Sequence, residues 1–375
     1  MPTGQTAPDT ASAEPVLPAF GRGCVTDLVP VLLGDVEDAP WIDPAVREAR
    51  SVVLLVCDGL GWNQIRRHRH RLPTLAGLKG GPITTVAPST TATALTSIAT
   101  GEPPGRHGVV GYRIRTAGEI LNVLRWATPS GDARRSIVPE NLQPDQAFLG
   151  HHPPVVTRAE FAGSGFSRAH LAGSRLVGYR TVSTMVVEIG RLVRAGEPFV
   201  YAYYDGLDKV GHEYGLDIHH DAELEAIDRL IGDIAESLGR DAALVVTADH
   251  GLVDSRDHAV DVDPEVRGLA TAESGEARFR WLHVPESRRD ELVAAARERH
   301  GEQAWVRTAD EMIEEGWFGP EVTPAARARL GDVALVARDR WAFTDPADTG
   351  PIELVGRHGS VTADEMYVPA LTLTT

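Results

Sequence analysis

The sequence predicts an α/β protein, an open and mostly parallel sheet with helices on both faces and a smaller α+β subdomain inserted late in the chain. Three observations predict it. The runs "SVVLLVC", "PFVYAYY" and "AALVVTA" each stop at an acidic residue, as strands buried on both faces do when their carboxyl ends open into loops. The segments "TVSTMVVEIGRLVRAG" and "DAELEAIDRLIGDIAESLG", with apolar residues at three- and four-residue spacing, read as helices ahead of the second and third runs. Residues 255–345 hold strands and helices of their own, "ARFRWLHV", "SRRDELVAAARERHG", "ADEMIEEG" and "DVALVARD", before the chain returns to a compact "GRHGS".

Taken in order, residues 1–20 are rich in Pro, Ala, Thr and Ser and read as a disordered leader, and residues 21–375 form the folded unit. The stretch 110–175, rich in Pro, Gly and Arg, reads as an irregular region on the substrate side. With 37 Lys plus Arg against 53 Asp plus Glu, the net charge of −16 supplies no basic field for a nucleic-acid polymer. Cys24 and Cys57 are too few for a disulfide framework, which fits a reducing cytoplasm. The N-terminus lacks the pattern of a signal peptide, and no apolar run approaches the roughly 20 residues of a bilayer span. A cytoplasmic protein without a membrane partner is the expectation.

The strand ends carry the chemistry. Asp58 follows "VVLLVC" and is either a helix cap or a site residue, and Asp249 and His250 follow "VVTA". Asp208 and His212 stand four apart, so a helical turn places both on one face, as two ligands of one metal or as a solvated pair. His358 lies between glycines in "GRHGS", at a turn or at a close approach to a ligand. Together these residues offer three carboxylates and three imidazoles, a mixed N/O donor set suited to zinc or a similar divalent ion and sufficient for two sites. The stretch "PSTTATALTSIATG" crowds hydroxyls onto the start of a short helix, where they either cap it or place one hydroxyl against an anion.

The ordered series "CDGL", "PSTTATALTSIATG", "GRHGVVG", "DGLDKVGHEYG", "TADHG" and "GRHGS" resembles the nucleotide pyrophosphatase/phosphodiesterase branch of the alkaline phosphatase superfamily, over residues 58–360. The resemblance implies an alkaline-phosphatase-like fold in which Asp58, Asp249 and His250 hold one zinc while Asp208, His212 and His358 hold the other. Thr91 falls at the nucleophile position and also contacts the metal. It would attack phosphorus and form a phospho-threonine intermediate that is then hydrolysed, with Thr90 as the rival nucleophile. His107 matches a position read as structural. The implied substrate is a small phosphodiester or pyrophosphate, nucleotides among them.

The chain departs from the family where an asparagine normally holds a phosphate oxygen, because Tyr112 stands there in "HGVVGYR". Either the Tyr112 hydroxyl or Asn122 would take that role. Arg113 and Arg125 are candidates for a second phosphate, and Trp62, Tyr203 and Tyr204 for stacking a base. The same site would also serve a phosphomonoesterase or phosphonate hydrolase, and a metal-binding protein without catalysis is the remaining alternative.

Overall fold

The computed structural model describes residues 14–34, 36, 39–347 and 353–375. Its central sheet has seven strands, β1 (Ser51–Cys57), β2 (Lys79–Thr84), β3 (Pro154–Arg158), β4 (Arg175–Tyr179), β5 (Phe199–Tyr204), β6 (Ala242–Thr247) and β7 (Tyr367–Thr374). They lie in the order β2-β7-β6-β1-β5-β3-β4. Strands β6, β1, β5, β3 and β4 run parallel, and β7 is antiparallel to both β6 and β2. Every residue of β1 and β6 is buried, which Val, Leu, Ala and Cys on both strand faces permit and covering helices require.

Among those helices are α1 (Thr91–Thr100), α2 (Val182–Arg194), α3 (Gly206–Tyr214) and α4 (Ile218–Ser237). Helix α2 opens on a capping box at Thr181, whose hydroxyl accepts the Thr184 amide while the Thr184 hydroxyl accepts the Thr181 amide. Its apolar side buries Met185, Ile189, Leu192 and Val193 and packs against α4. No helix among the described residues is long and apolar enough to cross a membrane.

Two stretches differ from the sequence expectation. The first thirteen residues of the leader expected over 1–20 lie outside the described residues; Val16, Leu17 and Phe20 pack on the main core, and the Val16 amide donates to the Val361 carbonyl at 2.9 Å. The region 110–175 is less irregular than its composition suggests. Strands Arg113–Thr116, Glu119–Asn122, Ala127–Thr128 and Gly131–Asp132 form a small antiparallel sheet, and "PVVTR" is the central strand β3. Proline and glycine occupy the turns and leading positions of these short strands, so bulk composition conceals them.

The stretch between β6 and β7 holds a second sheet, with antiparallel strands Ala272–Glu276, Phe279–His283, Val333–Ala337 and Ala304–Thr308 in that spatial order. Strand alternation gives it two faces. Leu282, Val306, Val333 and Leu335 bury with Leu292 and Val262 in a core of their own, while Phe279, Trp281, Trp305 and Val336 join the main core. Ala259–Val260 pairs with Ala342–Phe343, which ties the two ends of the insert together.

A buried ion pair fastens this insert to the sheet. Arg278, at the turn of the hairpin, donates to both carboxylate oxygens of Glu365 at 2.7 and 2.8 Å, and both side chains are fully buried. Glu365 also accepts the Ser360 amide at 3.0 Å, and its carbonyl accepts the Gly251 amide at 2.9 Å. The pair therefore anchors the loops after His250 and His358 together. Glu365→Gln strands the Arg278 charge, and equilibrium urea unfolding should show a loss of roughly 3–5 kcal/mol; an unchanged midpoint would remove this anchor from the account.

Candidate active site at the carboxyl edge of the sheet

Parallel register assembles the site. Val56 pairs with Thr247 and Cys57 with Tyr204, so Asp58 leaves β1 beside the ends of both neighbours. The Asp58 amide donates to the Tyr204 carbonyl at 2.8 Å, and the Gly59 amide to Asp249 Oδ1 at 3.2 Å. Asp58 is not a cap: the helix that follows, Trp62–His68, has Gly61 at its N-cap and no side-chain capping bond. Its Oδ2 instead accepts the Tyr203 hydroxyl from β5. Asp208 and His212 lie one turn apart on α3, with Nε2 3.3 Å from Oδ2.

The three imidazoles share one device. His212 Nδ1 bonds the Gly356 carbonyl at 2.7 Å, His250 Nδ1 the Gly251 carbonyl at 3.1 Å and His358 Nδ1 the Ser89 carbonyl at 3.0 Å. A carbonyl only accepts, so each Nδ1 carries the proton and each Nε2 presents a lone pair. The lone pairs converge on the carboxylates: His250 Nε2 is 3.4 Å from Asp58 Oδ1 and 3.4 Å from Asp249 Oδ2, and His358 Nε2 is 3.8 Å from Asp208 Oδ1. The His250 and His358 rings stack at 3.6 Å, which leaves His250 within reach of both carboxylate groups.

Thr91 begins α1, and its Oγ1 lies 3.1 Å from His250 Nε2. The neighbouring hydroxyls do not cap the helix. Thr90, at the N-cap, makes no capping bond, while Thr96 and Thr100 donate back to the carbonyls of Ala92 and Thr96, each at 2.7 Å. All ten residues of α1 are buried, and internal bonding of this kind satisfies Thr96 and Thr100, whereas the buried Thr93 hydroxyl has no partner among the described residues. Gly101 ends the helix at φ +75°, where a side chain would be strained. Ser97 shares a 2.8 Å hydrogen bond with His107 Nε2, whose Nδ1 accepts the Val109 amide at 3.1 Å.

The donor set fits divalent cations. Asp58 Oδ1, Asp208 Oδ1 and Asp249 Oδ2 are buried without a hydrogen-bond partner, and none of these carboxylates pairs with a lysine or arginine among the described residues. Burial, followed by the charges of Asp249 and Asp208, holds the Asp58 carboxyl well above the ordinary range. Burial and the neighbouring His250 charge hold His358 well below the usual imidazole value. Such a cluster needs positive charge from outside the chain, and two groups of ligand atoms are close enough to hold it: Asp58, Asp249 and His250, and Asp208, His250 and His358.

A cavity of about 610 Å³ opens over this edge, lined by Thr91, Asp208, His212 and His358. Tyr112 and Asn122 line its wall together, with Asn122 Nδ2 donating to the Tyr112 hydroxyl at 2.6 Å, so the two alternatives for the missing asparagine form one unit. Arg113 and Arg125 both line the cavity, and Arg113 is also paired with Asp345, which takes Arg280 at 2.6 Å as well. Tyr203 is held by Asp58 and Tyr204 by Glu223 at 2.5 Å, and Trp62 packs against the core outside the cavity. A second cavity of about 150 Å³ lies behind Thr91, walled by Leu95, Phe161, Phe166 and Tyr201. Sequence reasoning missed Glu276, which the insert places in the wall of the large cavity, because nothing local in "ESGEARF" distinguishes it from a solvated acid.

A hydroxyl at a helix start, facing two carboxylate–imidazole groups at the edge of a mostly parallel sheet, defines a hydrolase site of the alkaline phosphatase type. The profile of the type I phosphodiesterase / nucleotide pyrophosphatase family matches residues 52–187 and 193–361, and the chain belongs to that family. Its members are metal-dependent hydrolases. No curated protein sequence matches the chain. Solved structures with a similar fold include murine ectonucleotide pyrophosphatase/phosphodiesterase 5, with TM-score 0.65 and 17% identity over 87% of this chain and 88% of that one. An inactive threonine-to-alanine form of the murine protein, in complex with AMP, gives 0.65 and 16% over 86% and 88%. Phosphonoacetate hydrolase from Sinorhizobium meliloti 1021, in complex with phosphonoformate, gives 0.60 and 19% over 87% and 90%.

The buried His107 supplies a pH test away from the metal-type ligands. Burial, helped by the Arg329 charge, lowers its pKa from 6.5 to about 3. The unfolded chain then binds the proton more readily, so this contribution to stability is present above pH 6.5 and is lost as pH falls toward 3. Urea midpoints measured across that interval should fall less steeply for His107→Gln than for the parent.

Proposed function

We propose that the protein is a two-metal phosphodiesterase or nucleotide pyrophosphatase that cleaves a small phosphodiester or pyrophosphate through a phospho-threonine at Thr91. The observation that carries this reading is the position of Thr91 Oγ1, buried at the N-terminus of α1 and 3.1 Å from His250 Nε2, with both ligand groups beside it. Asp58, Asp249 and His250, with Thr91, would hold one divalent ion, and Asp208, His212 and His358 the other; the mixed N/O donors suit zinc. Two such ions would supply Lewis-acid polarisation of the phosphoryl group and lower the pKa of the attacking hydroxyl.

The chain's own groups define the rest. The Nδ1–carbonyl bonds fix each ring so that its Nε2 lone pair stays aimed at the site. The amide end of α1 favours the negative charge that develops as Thr91 attacks. Thr91 Oγ1 bonds to phosphorus as its proton and the leaving group depart; water then breaks the Oγ1–P bond and restores the hydroxyl. Two in-line displacements predict retained configuration at phosphorus. The Tyr112–Asn122 unit is the donor pair on the cavity wall for a phosphate oxygen. A reducing, cytoplasmic setting is part of the proposal, because Cys24 and Cys57 are both buried free thiols.

The inactive, AMP-bound threonine variant of the murine neighbour supports assigning the nucleophile to a threonine and the substrate to phosphate esters. The fold shared with phosphonoacetate hydrolase favours a second reading, phosphonate or monoester hydrolysis at the same residues. Rates on bis-p-nitrophenyl phosphate, p-nitrophenyl phosphate and phosphonoacetate separate the two.

Thr91→Ala should reduce turnover on the order of a thousandfold or more while both metals remain bound, and Thr90→Ala should stay active; the reverse pattern would move the nucleophile to Thr90. His358→Ala or Asp208→Ala should lower the metal content of the purified protein from two ions per chain to one, read by elemental analysis. Unchanged content would break the proposed grouping.

A further inference from the structure

Glu276 stands out among the buried groups that the proposed chemistry leaves unused. It ends the first strand of the insert hairpin and lines the same cavity as Thr91. It is 9% exposed, and its Oε1 has no hydrogen-bond partner among the described residues. Its Oε2 accepts the Tyr112 amide at 3.3 Å, and the carboxylate also interacts with the Thr90 side chain. On the other side it rests on Gly359, where an added Cβ would come within 2.7 Å of Glu276 Cγ. Glu276 is thus wedged between the residue before the proposed nucleophile and the residue after His358, with one buried oxygen left unpartnered beside the cavity that the residue lines.

The charged groups around it show what that oxygen lacks. Neither hairpin arginine donates to it: Arg278 pairs with Glu365, and Arg280, which shares Asp345 with Arg113, acts on Glu276 through its charge alone. A buried carboxylate oxygen without a donor is costly, and in a substrate cavity a bound molecule can supply the donor. The same oxygen repels an anion and desolvates beside an alkyl group without compensation. We infer that Glu276 is a specificity-determining residue that selects phosphate esters carrying a hydrogen-bond donor, a hydroxyl or an ammonium, a few bonds from the scissile phosphorus, and that rejects those carrying a carboxylate there.

This inference rests on the phosphodiesterase reading above and narrows its substrate class. It also sets the insert's role: the hairpin that Arg278 and Arg280 lock in place delivers the selecting oxygen to a site otherwise built by the central sheet.

The test uses p-nitrophenyl phosphodiesters that share one leaving group and differ in the second arm, which is ethyl, 2-hydroxyethyl, 2-aminoethyl or carboxymethyl. For the full-length, metal-loaded enzyme, kcat/KM should favour the hydroxyethyl and aminoethyl arms over ethyl by about tenfold or more and place carboxymethyl last. In Glu276→Gln the aminoethyl preference should shrink by about tenfold and the carboxymethyl arm should gain, whereas Glu276→Ala should lose the hydroxyethyl preference as well. A measurement that needs no variant runs alongside: 2-aminoethyl phosphate should inhibit the parent enzyme competitively and more tightly than ethyl phosphate. Hydrolysis of every arm at similar rates, equal inhibition by the two monoesters, or a preference that survives both substitutions would overturn the inference while leaving the phosphodiesterase reading intact. Failure to hydrolyse any of the diesters would overturn both.

Discussion

The structure depends on burying like charges side by side. Asp58, Asp208 and Asp249 leave the carboxyl edge of one sheet at the same level, because β1 is in parallel register with β5 and β6 and α3 starts directly after β5. Hydrogen bonds offset part of the cost: Tyr203 donates to Asp58, and backbone amides of Gly59 and His250 donate to Asp249. What remains uncompensated is negative charge in a low-dielectric setting, which a bound cation would offset. The start of α1, through Thr91, and the Nε2 atoms of three oriented imidazoles lie at this same edge.

Much of the remaining architecture holds this arrangement in place. The loops after His250 and His358 are joined through Glu365, which Arg278 reaches from the insert, and Ser89 holds the His358 loop through its backbone carbonyl and its side chain. The insert is therefore part of the mechanics of the site, although it has a core of its own and is closed at its ends by a strand pair. Its sheet alternates one face inward to that core and one face onto the main domain, so the hairpin at its edge has few ways to move without unpacking Phe279 and Trp281. Rigidity at the hairpin is what lets a single glutamate act as a selective wall.

Strands β1, β5 and β6 of the central sheet were legible because they are short, apolar on both faces and followed by acids, and the two long helices because their apolar spacing is regular. The Asp208–His212 pair was legible as well, since helical geometry alone sets a four-residue spacing on one face. Other features were hidden for physical reasons. Strand β3 lies in a stretch whose prolines and glycines dominate the composition, and the docking of the 16–20 segment depends on partners as distant as Thr84 and Val361. The hydroxyls of α1 suggested caps, yet Thr96 and Thr100 donate to carbonyls one turn back within the helix.

By itself the sequence determined the alternation of strands and helices, the acids and imidazoles at strand ends, and the chemical character of the donor set, because these follow from local periodicity and side-chain type. Only the tertiary structure decided which nitrogen of each imidazole faces the site, that Tyr112 and Asn122 act as a unit, that Tyr203 serves Asp58 rather than a ligand, and that Glu276 reaches the cavity. Those outcomes depend on contacts between segments far apart in the chain. The periodicity of a single segment carries no record of them.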